Sequence, residues 1–110
     1  MKEVKKPWGC FKQFALNEKC TVKILEIKPK QSISLQFHKK RDELWYFFNK
    51  AIVQLGEKKI KVKKGDVIKI KKKTPHRITA WKNKVEVLEV SFGKFDENDE
   101  VRLEDKYGRA

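Results

Sequence analysis

The chain has 110 residues, of which 39% are apolar, and carries 28 Lys and Arg against 15 Asp and Glu for a formal net charge of +13; that length gives one domain with one core, residues 1–110. No apolar run approaches the roughly 20 residues of a membrane span, and the start, MKEVKKPWGC, has no apolar stretch of a secretory signal, so a cytoplasmic protein with no membrane partner is expected. Lysines number 24 and arginines 4, with no helix-turn-helix, zinc-finger or RNA-recognition motif, which argues against specific nucleic-acid readout and for a thermophile-like surface rich in Lys, Glu and Ile.

Residues 1–20 form an N-terminal segment. Its two cysteines, Cys10 and Cys20, have neither metal-site nor redox spacing, so both are expected as free, half-buried side chains. Short alternating runs then dominate residues 21–93. In TVKILEIK (21–28), Val22, Ile24 and Glu26 share one face, and Lys23, Leu25 and Ile27 the other. SISLQF (32–37) and the aromatic ELWYFF (43–48) follow as strands. AIVQL and KIKV flank a hairpin turn at Gly56. GDVIKI (65–70), HRITAW (76–81) and VEVLEVSF (85–92) complete the series, the last two joined by the turn-forming Lys82-Asn83-Lys84. The lysine run KIKVKKGDVIKIKKK alternates with Ile and Val, which predicts strands with one wet face. Eight or nine short strands at regular spacing predict an all-β sandwich or barrel.

Residues 94–110 carry six acids and three bases from Asp96 onward, against a strongly basic remainder. DENDEVRLEDKYG offers Asn98 or Asp99 as an N-cap, Leu103 and Tyr107 four apart, and Gly108 as a stop, so a short C-terminal helix is expected.

The chain has only two histidines, His38 and His76. Gln36 and His38 are two apart on one strand and share a face. Glu43 opens the next strand, and His76 opens a later one behind the turn KKKTP. Two imidazoles, a carboxylate and an amide oxygen suit one divalent transition metal, zinc first, with manganese, iron, cobalt or nickel also fitting. On spacing alone, each histidine is equally a hydrogen-bonded or surface residue. The four arginines sharpen the pattern: Arg41 lies between His38 and Glu43, Arg77 follows His76, and Arg102 and Arg109 frame the C-terminal segment. In a chain that otherwise uses lysine, Arg marks places where a rigid fork orients a phosphate or carboxylate. Arg41 and Arg77 pairing with Asp42, Glu86 or Glu89 is the plainer alternative.

HKKRDE followed by TPH resembles the two metal-binding motifs of the cupin superfamily, a double-stranded β-helix or jelly-roll barrel. More narrowly, the chain resembles the type II mannose-6-phosphate isomerase domain, often found fused behind a mannose-1-phosphate guanylyltransferase. KPWGCF (6–11), VKILEIKP (22–29), SLQFHKKRDELW (34–45), TPHRI (74–78) and EVSFGKFDENDEVRLEDKYGR (89–109) carry the resemblance in order along nearly the whole chain. It implies a metal shell of Gln36, His38, Glu43 and His76, the glutamine being characteristic of this subgroup, and an activity-linked motif holding Arg102, Tyr107 and Arg109. Departures are Lys30, Lys50 and Lys73 at glycine positions, Lys71 at a proline, Ala80 at an asparagine and Lys6 at an arginine.

The implied chemistry interconverts mannose 6-phosphate and fructose 6-phosphate in polysaccharide precursor synthesis. A metal would polarise the two sugar oxygens while a base moves a proton between C1 and C2. Glu104, Asp105, Tyr107, Glu26 or a hydroxide on the metal could be that base. Arg41, Lys71 and Lys73, with Arg102 and Arg109, are candidates for the cradle of an anionic sugar-phosphate substrate. No nucleotide-transferring domain is expected within these 110 residues. A metal-binding cupin with other sugar or oxygen chemistry, and a non-catalytic sugar-binding module, stay open beside the isomerase. A homodimer paired through strand edges is expected.

Overall fold

The alternating sequence folds as eleven strands with no helix, in a computed structural model that describes residues 1–108. They are β1 (Lys2–Lys6), β2 (Gly9–Gln13), β3 (Cys20–Ile27), β4 (Leu35–Phe37), β5 (Glu43–Phe47), β6 (Ala51–Leu55), β7 (Lys58–Val62), β8 (Val67–Ile70), β9 (His76–Thr79), β10 (Val85–Phe92) and β11 (Val101–Glu104). Two antiparallel sheets make the barrel, one ordered β3-β10-β5-β8 and the other β11-β4-β9-β6-β7. This is the expected all-β jelly roll. β1 and β2 form a separate hairpin, tied to the barrel through Phe14, whose ring meets Tyr46 edge-on at 5.3 Å.

Period-two alternation sorts the side chains as expected. Trp45 and Phe47 of β5, Val53 of β6, Ile78 of β9, and Val85 and Val87 of β10 are fully buried between the sheets. The lysines of β7 and β8 face water, while Val62 and Ile70 point inward. Truncating a side chain such as Ile78 to alanine would cost roughly 2–5 kcal/mol.

The inward row changes character along the barrel. On β5 it reads Glu43, Trp45, Phe47; on β10, Val85, Val87, Glu89, Ser91; on β9, His76, Ile78. Glu43 pairs with Ser91 across β5 and β10, and Gln36 pairs with His76 across β4 and β9. One end of the interior is therefore apolar, and the other collects polar groups.

The expected C-terminal helix is absent among the described residues. In its place, β11 pairs along β4, with Arg102 opposite Gln36. The local helix signals lose to two non-local demands. β4 would otherwise present an unpaired edge, and β11 supplies its backbone partners. Asp99, read as an N-cap, instead accepts the backbone N–H groups of Lys39 and Lys40 at 2.9 and 3.0 Å. A helix this short and this acidic has little intrinsic stability to oppose that.

Lys30 and Lys73 both sit at φ 65°, in the left-handed region. Lys50, the third lysine at a family glycine position, does not. Cys10 and Cys20 are free, as expected; Cys20 is half-buried, but Cys10, on the β1–β2 hairpin, is exposed rather than half-buried.

Candidate metal centre

Three side chains converge at the polar end of the barrel. His38 follows directly on the end of β4, two residues after Gln36, the first residue of β5 contributes Glu43, and the first residue of β9 contributes His76. His38 Nε2 lies 3.2 Å from Glu43 Oε1, and His76 Nε2 lies 3.4 Å from the same oxygen. All three residues are buried, and one ligand atom from each falls within 4.8 Å of the others.

The far side of each group is fixed by the fold. His38 Nδ1 meets the Asp99 carbonyl oxygen at 2.6 Å, and His76 Nδ1 meets that of Thr74 at 2.8 Å. A carbonyl only accepts, so both Nδ1 atoms donate, and Nε2 of each ring carries the lone pair when the ring is neutral. Glu43 Oε2 accepts from the Ser91 hydroxyl at 2.8 Å and from Arg41 Nε at 3.3 Å. Its Oε1 and the His76 Nε2 are buried without a hydrogen-bond partner. An unmet buried polar atom costs roughly 1–3 kcal/mol. A divalent cation between these atoms would satisfy both, and two anchored imidazoles with a carboxylate are a donor set that zinc and its neighbours accept. The residues present fit a metal.

Electrostatics agree with an ionised Glu43. Burial works against its charge, but the His38 and His76 imidazoles beside Oε1, the attraction of His38 and the Ser91 hydroxyl more than offset it, holding the carboxyl far below its usual range. For His38, burial favours the neutral ring, yet Glu43 and the Asp99 carbonyl together raise its pKa against the opposing charge of Arg41.

Gln36 is beside the centre, opposite His76. Its amide oxygen accepts the Ser34 hydroxyl at 2.6 Å. Arg41 is buried and committed: it donates to Glu43, to His38 Nε2 at 3.2 Å and to the Asp96 carbonyl at 3.2 Å, and its guanidinium stacks 4.5 Å from the Phe95 ring.

A cavity of about 830 Å³ opens next to this cluster. Gln36, Arg41, Arg102 and Tyr107 all line it, with Lys23 and Lys28 adding charge. Arg102 Nε pairs with Glu100 at 2.8 Å, and the Tyr107 hydroxyl donates to the Gln31 side chain. Lys71 and Lys73 are exposed on the turn before β9 and are not part of the cavity wall. Lys73 contributes its backbone instead, donating its N–H to the His38 carbonyl at 2.6 Å. Arg109 lies outside the described residues. Of the expected bases, Glu104 is exposed and paired with Arg77 at 3.2 Å, and Glu26 reaches the cavity but lies 3.6 Å from the Lys84 amine.

Glu89 was not among the expected site residues, yet it is buried and lines the cavity. The signal was present: it occupies an inward position in the row Val85, Val87, Glu89, Ser91, where an acid is out of place.

The sequence model described as "Mannose-6-phosphate isomerase C-terminal" matches residues 1–105. The xanthan biosynthesis protein XanB of Xanthomonas campestris is 32% identical over 99% of this chain and 24% of its own length. The alginate biosynthesis protein AlgA of Pseudomonas aeruginosa is 33% identical over 98% of the chain and 23% of its own. The mannose-1-phosphate guanylyltransferase ManC of Salmonella typhimurium is 31% identical over 99% and 23%. The chain thus spans about a quarter of the length of these relatives. Among solved structures, oxalate decarboxylase from Bacillus subtilis superposes with a TM-score of 0.71 at 27% identity, covering 78% of this chain and 24% of that one. A double-stranded β-helix protein from Klebsiella pneumoniae gives 0.63 at 18% identity over 72% and 70%, a likeness of fold. The fold is that of the cupins, and the chain belongs to the family of mannose-6-phosphate isomerase C-terminal domains, whose matched relatives work in polysaccharide biosynthesis.

Proposed function

We propose that this chain is a metal-dependent sugar-phosphate isomerase that interconverts mannose 6-phosphate and fructose 6-phosphate. The observation that carries the proposal is the pair of partnerless buried atoms, Glu43 Oε1 and His76 Nε2, facing His38 next to a cavity of about 830 Å³. That volume lies within the roughly 300–1,000 Å³ usual for small-molecule sites.

His38, Glu43 and His76, with Gln36 alongside, would hold one divalent metal, zinc first. When bound, the metal supplies a Lewis acid that stabilises negative charge on the two sugar oxygens. The chain's own groups do the positioning. Asp99 and Thr74 carbonyls fix the two imidazoles, and Ser91 and Arg41 hold the second oxygen of Glu43 so that the first points inward. Arg102, Lys23 and Lys28 give the cavity wall the positive charge that a phosphate dianion requires. Phe95, against which Lys23 and Arg41 both stack, keeps water away from one side of that wall.

The test is a coupled assay with fructose 6-phosphate on protein loaded in turn with zinc, manganese, iron, cobalt and nickel. Turnover that disappears in His38→Ala and His76→Ala, with folding intact and metal content lost, is the expected result. A protein that takes up no metal is the outcome expected of a non-catalytic sugar-binding module. Metal uptake without isomerisation is the outcome expected of a cupin with other chemistry.

A further inference from the structure

The isomerase chemistry needs a proton carrier, and the metal-holding residues do not provide one. Among the described residues only two carboxyls are buried, Glu43 and Glu89. Both oxygens of Glu43 are turned to the metal centre or held by Ser91 and Arg41. Glu89 has no such duty. It is 8% exposed and sits on β10 opposite Trp45. The Trp45 indole N–H donates to its Oε2 at 3.0 Å. Its other oxygen has no hydrogen-bond partner among the described residues, and none of their Lys, Arg or His nitrogens forms an ion pair with it. The residue lines the cavity. Trp45 is itself buried and packed edge-on against Phe47 and His76, so the donor that fixes Glu89 is rigid. A carboxyl without a cation is a poor choice for core stability. Its place on the cavity wall calls for a chemical role. Of the other acids on that wall, Glu26 and Glu100 are paired with Lys84 and Arg102, and Glu97 is exposed to solvent.

Building on the isomerase function proposed above, we propose that Glu89 carries the proton between C2 and C1 of the bound sugar phosphate. As a carboxylate it takes the proton from C2 of the open-chain aldose. The C–H electron pair becomes the C1–C2 double bond and the carbonyl pair moves to O1, giving an enediolate in which the proton on O2 passes to O1 and the negative charge to O2. The O2 carbonyl then forms while Glu89 returns its proton to C1. No oxidant or reductant is consumed. Burial, reinforced by the negative charge of Glu43, raises the Glu89 pKa, which brings the group closer to the pH at which it must both accept and release a proton.

The test compares the zinc-loaded full chain with Glu89→Gln and Glu89→Asp. Gln keeps the shape and can still accept from Trp45. Turnover is measured together with deuterium incorporation at C1 of fructose 6-phosphate in D2O, KM, bound zinc and Tm. The expected result is a loss of about 10²–10⁴-fold in both turnover and exchange for Glu89→Gln. KM and zinc content stay unchanged, and Glu89→Asp recovers part of the rate. Exchange in Glu89→Gln within about tenfold of the unaltered chain, below the usual general-base contribution, would overturn the role. Equal losses in both variants accompanied by loss of zinc would also overturn it, by making Glu89 structural. An unaltered, zinc-loaded chain that neither isomerises nor exchanges would overturn the isomerase function, and this role with it.

Discussion

Lys30 and Lys73 offer a direct measurement of strain kept in the fold. Both hold φ 65°, a conformation that costs a residue with a Cβ about 1–2 kcal/mol relative to the right-handed region. Neither turn can relax freely. The Lys30 N–H donates to the Trp81 carbonyl at 2.7 Å and the Lys73 N–H to the His38 carbonyl at 2.6 Å. Glycine removes the steric term, while its freer unfolded chain returns about 0.4–1 kcal/mol of the gain. The balance is a stabilisation of about 0.5–1 kcal/mol for each of Lys30→Gly and Lys73→Gly, or roughly 2–4 °C in Tm for a domain near 100 residues. The two sites share no bonding partner, so the double variant is expected to add. Removing a lysine also relieves repulsion in a +13 chain. Lys30→Ala and Lys73→Ala measure that term, because alanine drops the charge and keeps the strain. Thermal and urea unfolding of all five variants decides the matter. Glycine variants no more stable than their alanine counterparts would refute the strain argument.

Three further outcomes are expected. Adding zinc to metal-free protein raises Tm, with a stabilisation of about 2.7 kcal/mol at a free concentration one hundred times Kd; His76→Ala abolishes the shift, and a shift that survived would place the zinc elsewhere. Glu89 faces Glu43, Arg41 and Lys23, and its folded pKa is raised. Its contribution to stability is therefore full below the unfolded carboxyl value of about 4.3 and lost as pH rises through the folded one. Glu89→Gln, which cannot ionise, should thus exceed the unaltered chain in Tm at pH 8 and converge with it near the unfolded value, and a variant less stable at pH 8 would contradict this sign. The β1–β2 hairpin leaves Trp8 73% exposed, and β3 leaves Val22 and Ile24 more than half exposed. Because a lone hairpin is marginal in water, a second copy of the chain is expected to cover these surfaces. Light scattering should give twice 13.1 kDa, reduced to one chain by Trp8→Ser with Ile24→Ser; a single-chain mass for the unaltered protein would refute the dimer.

The convergence of His38, Glu43 and His76 was legible because it depends on local rules. Gln36 lies on β4 and His38 just past its end, so a spacing of two was enough to suggest one face. Glu43 and His76 each open a strand just behind a turn. Scarcity helped as well: with four arginines among 28 cations, Arg41 stood out, and it is the one that grips both Glu43 and His38. What was missed depends on neighbours far along the chain. Residues 96–107 carry a helix's caps and spacing, but the open edge of β4 and the backbone N–H groups of Lys39 and Lys40 take up those residues instead. The hairpin at residues 2–13 escaped notice because its strands are mostly polar and pair only with each other. The glycine positions at 30, 50 and 73 were visible from the resemblance, yet only backbone geometry separates Lys30 and Lys73 from Lys50.

Glu89 shows why a polar site on antiparallel strands is hard to see in one dimension. In a strand rich in Glu and Val, an acid ordinarily belongs to the wet face. Phase decides otherwise, since Glu89 stands in step with Val87 and Ser91. The polar end of the barrel is reached at the start of β5 and β9 but at the finish of β10, because neighbouring strands run in opposite directions. Glu43 and Ser91 are 48 residues apart and share a hydrogen bond. The useful pattern is therefore the point at which each inward row changes from apolar to polar, with alternate strands read in reverse. On that pattern Glu43, Ser91 and His76 gather at the polar end, Glu89 stands one inward step along β10 opposite Trp45, and it is the acid beside the His38–Glu43–His76 cluster that is not tied into it.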